Sequence, residues 1–226
     1  MSYSVVILSK DPKNLKHCVQ AVRRNEPDLP PERIIVVDDD ETGEILSNYH
    51  HATVIEGRKP FVFARNANIG LRYAFDEQGV DAAILLNDDA MLSRRRGFGA
   101  MVSAQRFAPE YGLVASSCNN VGNMNQEPKG ATFIRFERRM LCFICVLIPR
   151  HTWQTVGPLD EDFTGYGFED DAYSLAVKRA GYKLGIFDGC YVDHASLKST
   201  FRSETYPQEG FAHNQRVFEA KYGGHH

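Results

Sequence analysis

The sequence predicts an α/β fold: a single domain whose mostly parallel central sheet is flanked by helices, with a smaller mixed sheet in the second half. Short apolar runs alternate with helix-spaced patterns through the first half. Those runs lack the apolar–polar alternation of a half-exposed sheet, so they belong to strands buried on both faces. A length of 226 residues is enough for one substantial core, and nothing in the composition asks for a second.

Each element follows from a local pattern. Residues 5–8 are an apolar strand, and Leu15, Val19 and Val22 recur behind it at helical spacing. Pro30 and Pro31 break the chain before a second strand at 34–37, and residues 53–55 form a third. A helix carrying Ala64, Ile69 and Tyr73 leads to a fourth strand at 82–86. In the second half, 112–117 is a further strand and 119–130 a polar loop, while 132–148 holds one or two longer strands of the smaller mixed sheet. Ala172, Leu175, Ala176 and Ala180 then define a helix over 171–180, with Lys178 and Arg179 in its last turn and Gly181 as its stop. Short strands at 183–187 and 190–193 follow. Residues 196–210 are polar and poorly periodic, a candidate mobile lid ahead of a closing helix near 211–221.

Composition narrows the function classes. Hydrophobic residues at 43% and charged residues at 24% are the balance of an ordinary globular protein, and the net charge of −3 offers no general attraction to nucleic acid or anionic membranes. Basic clusters remain at Arg94, Arg95 and Arg96 and at Arg135, Arg138 and Arg139. The start of the chain lacks the pattern of a secretory signal, and the longest apolar run, 141–148, is far short of the ~20 residues of a membrane span. Both point to a soluble, cytoplasmic protein. Five cysteines, an odd number, fit free thiols. Cys142 and Cys145 have metal-like spacing, but within a strand-like run they would point to opposite faces, which argues against zinc. Residues 223–226 read as the remnant of a purification tag.

Candidate functional residues gather where an open α/β sheet places its ligand crevice, beyond the carboxyl ends of the strands. The second strand ends in Asp38, Asp39 and Asp40, and the fourth in Asn87, Asp88 and Asp89, of which Asn87 and Asp89 share a face while the chain stays extended. Val192, Asp193 and His194 end another short strand. A hard divalent cation is commonly held by one or two protein groups together with phosphate oxygens, and an imidazole among them favours manganese. Asp89 and His194 are the candidate pair. The run Gly165, Tyr166, Gly167, Phe168, Glu169, Asp170 and Asp171 sets three carboxylates at the start of a helix. Capping explains one of them, at about 1 kcal/mol. Three adjacent like charges repel, so the run also has the makings of a general base. Neither a Walker A motif nor a Gly-x-Gly-x-x-Gly turn is present, which leaves P-loop and dinucleotide chemistry unsupported.

In their order and spacing these motifs resemble the GT-A fold glycosyltransferases, especially the large inverting family 2 group, with a Glu-Asp turn similar to that of the β-1,4-galactosyltransferases. The resemblance covers nearly the whole chain. It starts at Val5, Val6, Ile7, Leu8 and Ser9, and continues through Ile35, Val36, Val37, Asp38 and Asp39. Ala64, Arg65, Asn66, Ala67, Asn68, Ile69 and Gly70 are similar to the helix start beside the donor, and Leu85 to Asp89 to the Asp-x-Asp motif, with Asn87 in place of its first Asp. Residues 157–163 with Gly167, Phe168, Glu169 and Asp170 resemble the approach to the catalytic carboxylate. Val192, Asp193 and His194 resemble the strand of the third metal ligand, and 218–223 the closing helix.

The resemblance implies one domain over 1–222, with a nucleotide-sugar-binding half at 1–115 and an acceptor and catalytic half at 116–222. It implies transfer of a sugar from a nucleoside diphosphate donor to a hydroxyl, with inversion and with Mn2+ or Mg2+ as cofactor. Asp170 is then the base, Glu169 an acceptor contact and Asp171 a helix cap. Asp89 and His194 hold the metal, and Ser9, Asp38, Asp39, Arg65 and Asn87 serve the donor. Lys198 and Arg202, from the lid, would close on the diphosphate. The acceptor is of unknown class. A polyanion, including a polynucleotide with a modified base, is a minority reading based on Arg135, Arg138 and Arg139. A nucleotidyltransferase of related fold and a non-catalytic module binding carbohydrate or nucleotide-sugar are the rival functions.

Overall fold

The computed structural model describes residues 2–39, 44–45, 51–165, 167–197 and 208–223. Apolar β-branched and leucine runs build β1 (Tyr3–Ser9), β2 (Ile34–Asp38), β3 (Thr53–Glu56) and β4 (Ala82–Asn87), which lie parallel in the order β3-β2-β1-β4. Alternate residues of these strands feed two cores. Val5, Ile7, Ile34, Val36, Ile84 and Leu86 pack on one face, and Val6, Leu8, Ile35, Val37, Ala83 and Leu85 on the other. Burial on both faces explains why the strands read as continuous apolar runs.

Helices cover both faces. Asp11 caps α1 (Pro12–Asn25) by accepting from the Lys13 and Asn14 amides, and Pro12 supplies the preset first position. On the opposite face α2 (Phe63–Arg72) lies close to the sheet at Gly70, where an added Cβ would come within 2.3 Å of Val6. One π-helical turn, Tyr73–Glu77, continues it. After the short β5 (Met91–Leu92), α3 (Gly97–Phe107) packs on the α1 side. The remaining elements are β6 (Tyr111–Cys118), β7 (Ile134–Glu137), β8 (Cys145–Pro149), α4 (Arg150–Val156), α5 (Glu169–Arg179), β9 (Lys183–Asp193) and α6 (Gln208–Tyr222).

The second-half strands form the mixed portion, hydrogen-bonded to the first-half strands as one continuous nine-stranded sheet. β8 is inserted antiparallel between β4 and β6, and β6 runs parallel to β9, so β1, β2, β4, β6 and β9 all end on the same edge. That edge carries the candidate site. β5 then pairs Met91 with Asp193, which draws the turn after β4 against the end of β9.

Four local expectations change. The 132–148 run divides into β7 and β8, and Cys142 sits in the turn between them rather than in a strand, with both cysteines free. Residues 183–193 are one strand, because a register shift opposite Ser116 and Ser117 absorbs the interruption at 188–190. The helix placed at 171–180 starts at Glu169, with Phe168 as its N-cap in the left-handed region at φ 71°. Asp171 therefore lies in its first turn and is not its cap. The last helix begins at Gln208, three residues earlier than the sequence pattern suggested.

Candidate active site

The register of the parallel strands sets the floor of the site. Leu8 pairs with Asn87, so Ser9 lies level with Asp88, and its hydroxyl donates to the Asp88 carboxylate at 2.6 Å. Ser9 is fully buried, and its carbonyl accepts from the Asp39 amide at 2.9 Å. It thus ties three strand ends together inside the protein. Burial pushes Asp88 up to about 7; the Ser9 bond opposes that shift and the Asp89 charge adds to it. Asn87 spends its amide on Ile144 at 2.9 Å and its carbonyl on Ala90.

Asp38 and Asp39 are buried beside the start of α2. Gly57 donates its amide to the Asp38 carbonyl at 2.8 Å, and a Cβ there would meet that carbonyl oxygen at 2.8 Å. Burial raises Asp39 to about 6 against the opposing charges of Lys59 and Lys10. Asn66 accepts from the Arg58 amide at 2.8 Å, and the Arg65 guanidinium is held by the Pro60 and Arg58 carbonyls. Arg65 Nε and Asp89 Oδ1 are buried polar atoms that no hydrogen bond satisfies among the described residues, while Asn66 lies against the Asp39 carboxylate. Such atoms are rare in a folded core, and these two, at the start of α2 and in the turn after β4, mark where a polar ligand fits.

The sheet brings Asp89 and His194 together from 105 positions apart in sequence, with His194 Nε2 at 3.3 Å from Asp89 Oδ1 and both side chains buried. Across the ring, Nδ1 lies 2.9 Å from the Asn120 carbonyl. A carbonyl only accepts, so Nδ1 carries the proton and, in the neutral ring, Nε2 turns a lone pair toward the carboxylate. Two acceptors facing each other call for a cation or proton between them. Neighbouring ligands of a small divalent ion, each at about 2.0–2.1 Å, stand about 3 Å apart in octahedral geometry. The pair fits such an ion. Among the described residues no group of three or more His, Cys, Asp or Glu side chains surrounds one point, so the remaining ligands would have to come from oxygens of a bound molecule or water.

Glu169 and Asp170 open α5. Glu169 is buried and accepts from the Gly167 amide, and burial followed by the Asp170 charge raises it well above the carboxylate range. Asp170 is partly accessible. Its Oδ1 accepts from the Asp171 amide at 2.9 Å, and the Phe143 amide also points to it. Burial, then the Asp171 charge, pushes Asp170 up to about 7. The turn therefore contains one carboxylate committed to the loop and one open to a ligand.

The loop before this turn is pinned by residues that sequence reasoning missed. Asn214 of α6 is fully buried, accepts from the Thr164 amide at 2.8 Å and donates to the Thr164 and Gly167 carbonyls at 2.9 Å. Phe168 packs against Phe211 and Phe218 with tilted rings, and Asn68 of α2 clamps Leu159 through both amide and carbonyl. Asn119 and Asn120, read as polar loop, hold the end of β9: Asn119 bonds the His194 amide and the Asp193 carboxylate. Their place directly after an apolar strand was the signal available. Arg135 departs from the anionic-acceptor reading, because it forms an ion pair with Asp188 at 2.7 Å and bonds the Asn125 and Glu127 carbonyls. Lys198, Arg202 and most of the candidate lid lie outside the described residues.

A family model, Glycosyl transferase family 2, matches residues 4–140, more than half of the chain. The chain belongs to this family. The match takes in the ends of β1, β2 and β4 and Asp89, while Asp170 and His194 lie beyond it. No curated protein matches the sequence. Solved structures share the family 2 chain's fold, a GT-A fold, at low identity. A structure of GalNAc-T7 with UDP, GalNAc and Mn2+ superposes with a TM-score of 0.71 at 13% identity, covering 98% of this chain and 49% of that one. The mannosyltransferase PcManGT from Pyrobaculum calidifontis, in complex with GDP-Man and Mn2+, gives 0.68 at 14%, covering 89% and 59%. Residues 1–349 of S. aureus TarS in complex with UDP-GlcNAc give 0.63 at 13%, covering 97% and 66%. The chain thus spans about half to two thirds of the length of these structures. Among its described residues no helix is long and apolar enough to cross a membrane.

Proposed function

We propose that this family 2 glycosyltransferase moves a sugar from a nucleoside diphosphate donor to an acceptor hydroxyl with inversion at the anomeric carbon, and that Asp170 is the base. The observation that carries the reading is the position of Asp170. It is a partly accessible carboxylate raised to about 7, next to a partner already committed to the loop. A group that must accept a proton near neutral pH works best with a pKa close to that pH.

In this reading the polar atoms around Asp38, Asp39, Arg65, Asn66 and Asn87 receive the donor's nucleoside at the strand ends. Asp89 and His194 would hold Mn2+ or Mg2+, which when bound would offset charge on the departing diphosphate. The Asn120 carbonyl keeps the His194 Nε2 lone pair on the ligand side. Asp170 takes the proton of the acceptor hydroxyl as its oxygen attacks the anomeric carbon from the face opposite the diphosphate, so one C–O bond forms as the other breaks. Glu169 holds the Gly167 amide and thereby sets the direction of Asp170. Manganese and nucleotide-sugars accompany several structural neighbours, which supports this choice of donor and ion.

Asp170→Asn tests the assignment. It keeps shape and hydrogen bonding but removes the basic oxygen, so turnover should fall by roughly 10²–10⁴ while donor affinity by calorimetry stays nearly unchanged. Near-normal turnover in Asp170→Asn combined with loss in Glu169→Gln would move the base to Glu169. Activity in both variants would remove the base mechanism.

A further inference from the structure

The turn between β7 and β8 presents two guanidinium groups beside the catalytic helix. Arg138 and Arg139 are both exposed, and among the described residues no ion pair engages either side chain. Arg135, only three residues away, is by contrast consumed by Asp188. With Lys178 of α5 they line a recess of about 670 Å3 that also contains Cys142, Asn123 and Asp171. Asp171 adjoins the proposed base. Cys142 lines the recess and the amide of the next residue, Phe143, points to Asp170, so the recess reaches the reacting end of α5.

The turn is built rigidly. Glu137 accepts from the Arg139 amide at 2.8 Å, Asn123 donates to the Met140 carbonyl at 3.0 Å, and Ser174 of α5 accepts from the Leu141 amide at 3.2 Å. Gln126, fully buried, bonds both the amide and the carbonyl of Cys142. Lys178 donates to the Arg138 carbonyl at 3.1 Å, which keeps its ammonium at the rim. Neutralising the acidic turn is a poor explanation for these cations: Asp170 is set by burial, by Asp171 and by backbone amides, with no cation among those influences. Three positive groups against the one carboxylate of Asp171 leave two positive charges facing the recess. A phosphate ester carries up to about two negative charges and accepts the forked hydrogen bonds that guanidinium groups offer.

We propose that this recess binds a phosphate group of the acceptor and so holds the acceptor hydroxyl at Asp170. The proposal rests on the sugar-transfer reading for the word acceptor, but the anion site itself can be tested without donor or turnover. Phenylglyoxal modification of the full chain, located by mass spectrometry, is run with inorganic phosphate and with chloride at matched ionic strength. Phosphate at ten times its dissociation constant should slow modification of Arg138 and Arg139 about tenfold. The exposed Arg106 and Arg216 should be unaffected. No protection, or equal protection of all four arginines, overturns the site.

Two further probes identify the source of the phosphate. A nucleoside 5′-monophosphate protecting as well as inorganic phosphate marks a small acceptor. A single-stranded oligonucleotide protecting at far lower concentration, with steep loss on adding salt, marks a polymer. For the acceptor role, matched acceptors differing by one phosphate ester are compared in transfer assays. The phosphorylated member should have a KM at least about tenfold lower, an advantage lost in a variant combining Arg138→Ala and Arg139→Ala. Equal KM values contradict the acceptor role even if the arginines are protected. Protection without any sugar transfer leaves the anion site standing and the reaction reading fallen.

Discussion

Asp170 is raised from the usual carboxylate range to about 7 by burial and by the charge of Asp171, so near neutral pH it divides between its two protonation states. Turnover should therefore climb as pH rises through about 7, and the Asp170→Asn residue should lose that limb of the profile. Stability moves the other way. A carboxylate whose folded pKa lies above its unfolded value of 3.8 binds more protons when folded, so its contribution is fully present below about 4 and is lost as pH rises through about 7. Asp170→Asn should accordingly leave the melting temperature nearly unchanged at pH 4. At pH 8 it should raise stability by about 1 kcal/mol or more, roughly 2–4 °C for a chain of this size. A scan at the two pH values checks both arms, and stabilisation at pH 4 alone contradicts the assignment. The candidate base was legible because three consecutive carboxylates exceed what a helix cap needs. Asn119, Asn120 and Asn214 were not, since each acts across 47 or more positions of sequence, where local pattern carries no information.

The elements that hold the turn are α2, α5 and α6, and their contacts explain why the left-handed Phe168 persists. Asn214 satisfies the Thr164 amide and two carbonyls, and Lys221 and Tyr222 engage Asp160 at 2.8 and 2.9 Å, so the last helix fastens the loop at both ends. Asn214→Ala should cost about 1–3 kcal/mol, because it removes a buried side chain's bonds to three part-buried backbone groups of the loop. It should also lower turnover while donor affinity holds. Calorimetry and steady-state rates on the same preparation check this, and an equal loss of donor affinity would show a general rather than a local effect. Within α2, on the same face of the sheet as α5, Gly70 leaves no room for a methyl group against Val6 and Val37. Gly70→Ala should destabilise by about 1–3 kcal/mol in thermal unfolding. Strand and helix existence were readable from periodicity. The exact start of α5 was not, because the apolar helical spacing begins only at Ala172 and carries no information about Glu169 and Asp170.

For the whole molecule, the parallel first half followed from uninterrupted apolar runs, and the shared edge of the strand ends from the general rule for such sheets. The insertion of β8 between β4 and β6 depends on long-range pairing and left no local trace, yet it directs β6 and β9 so that His194 meets Asp89. Asp89→Asn should weaken Mn2+-dependent donor binding at least about tenfold and His194→Ala less, by calorimetry with and without the metal. Unchanged metal affinity in both variants would refute the pair. The central claim is sugar transfer from a nucleoside diphosphate donor, and product analysis tests it most directly. The full chain is incubated with a panel of nucleoside diphosphate sugars, Mn2+ and mixed hydroxyl acceptors, and the products are resolved by NMR. An inverting transferase should release nucleoside diphosphate and give a product of anomeric configuration opposite to the donor. Release of pyrophosphate, or retention of configuration, would contradict that reading.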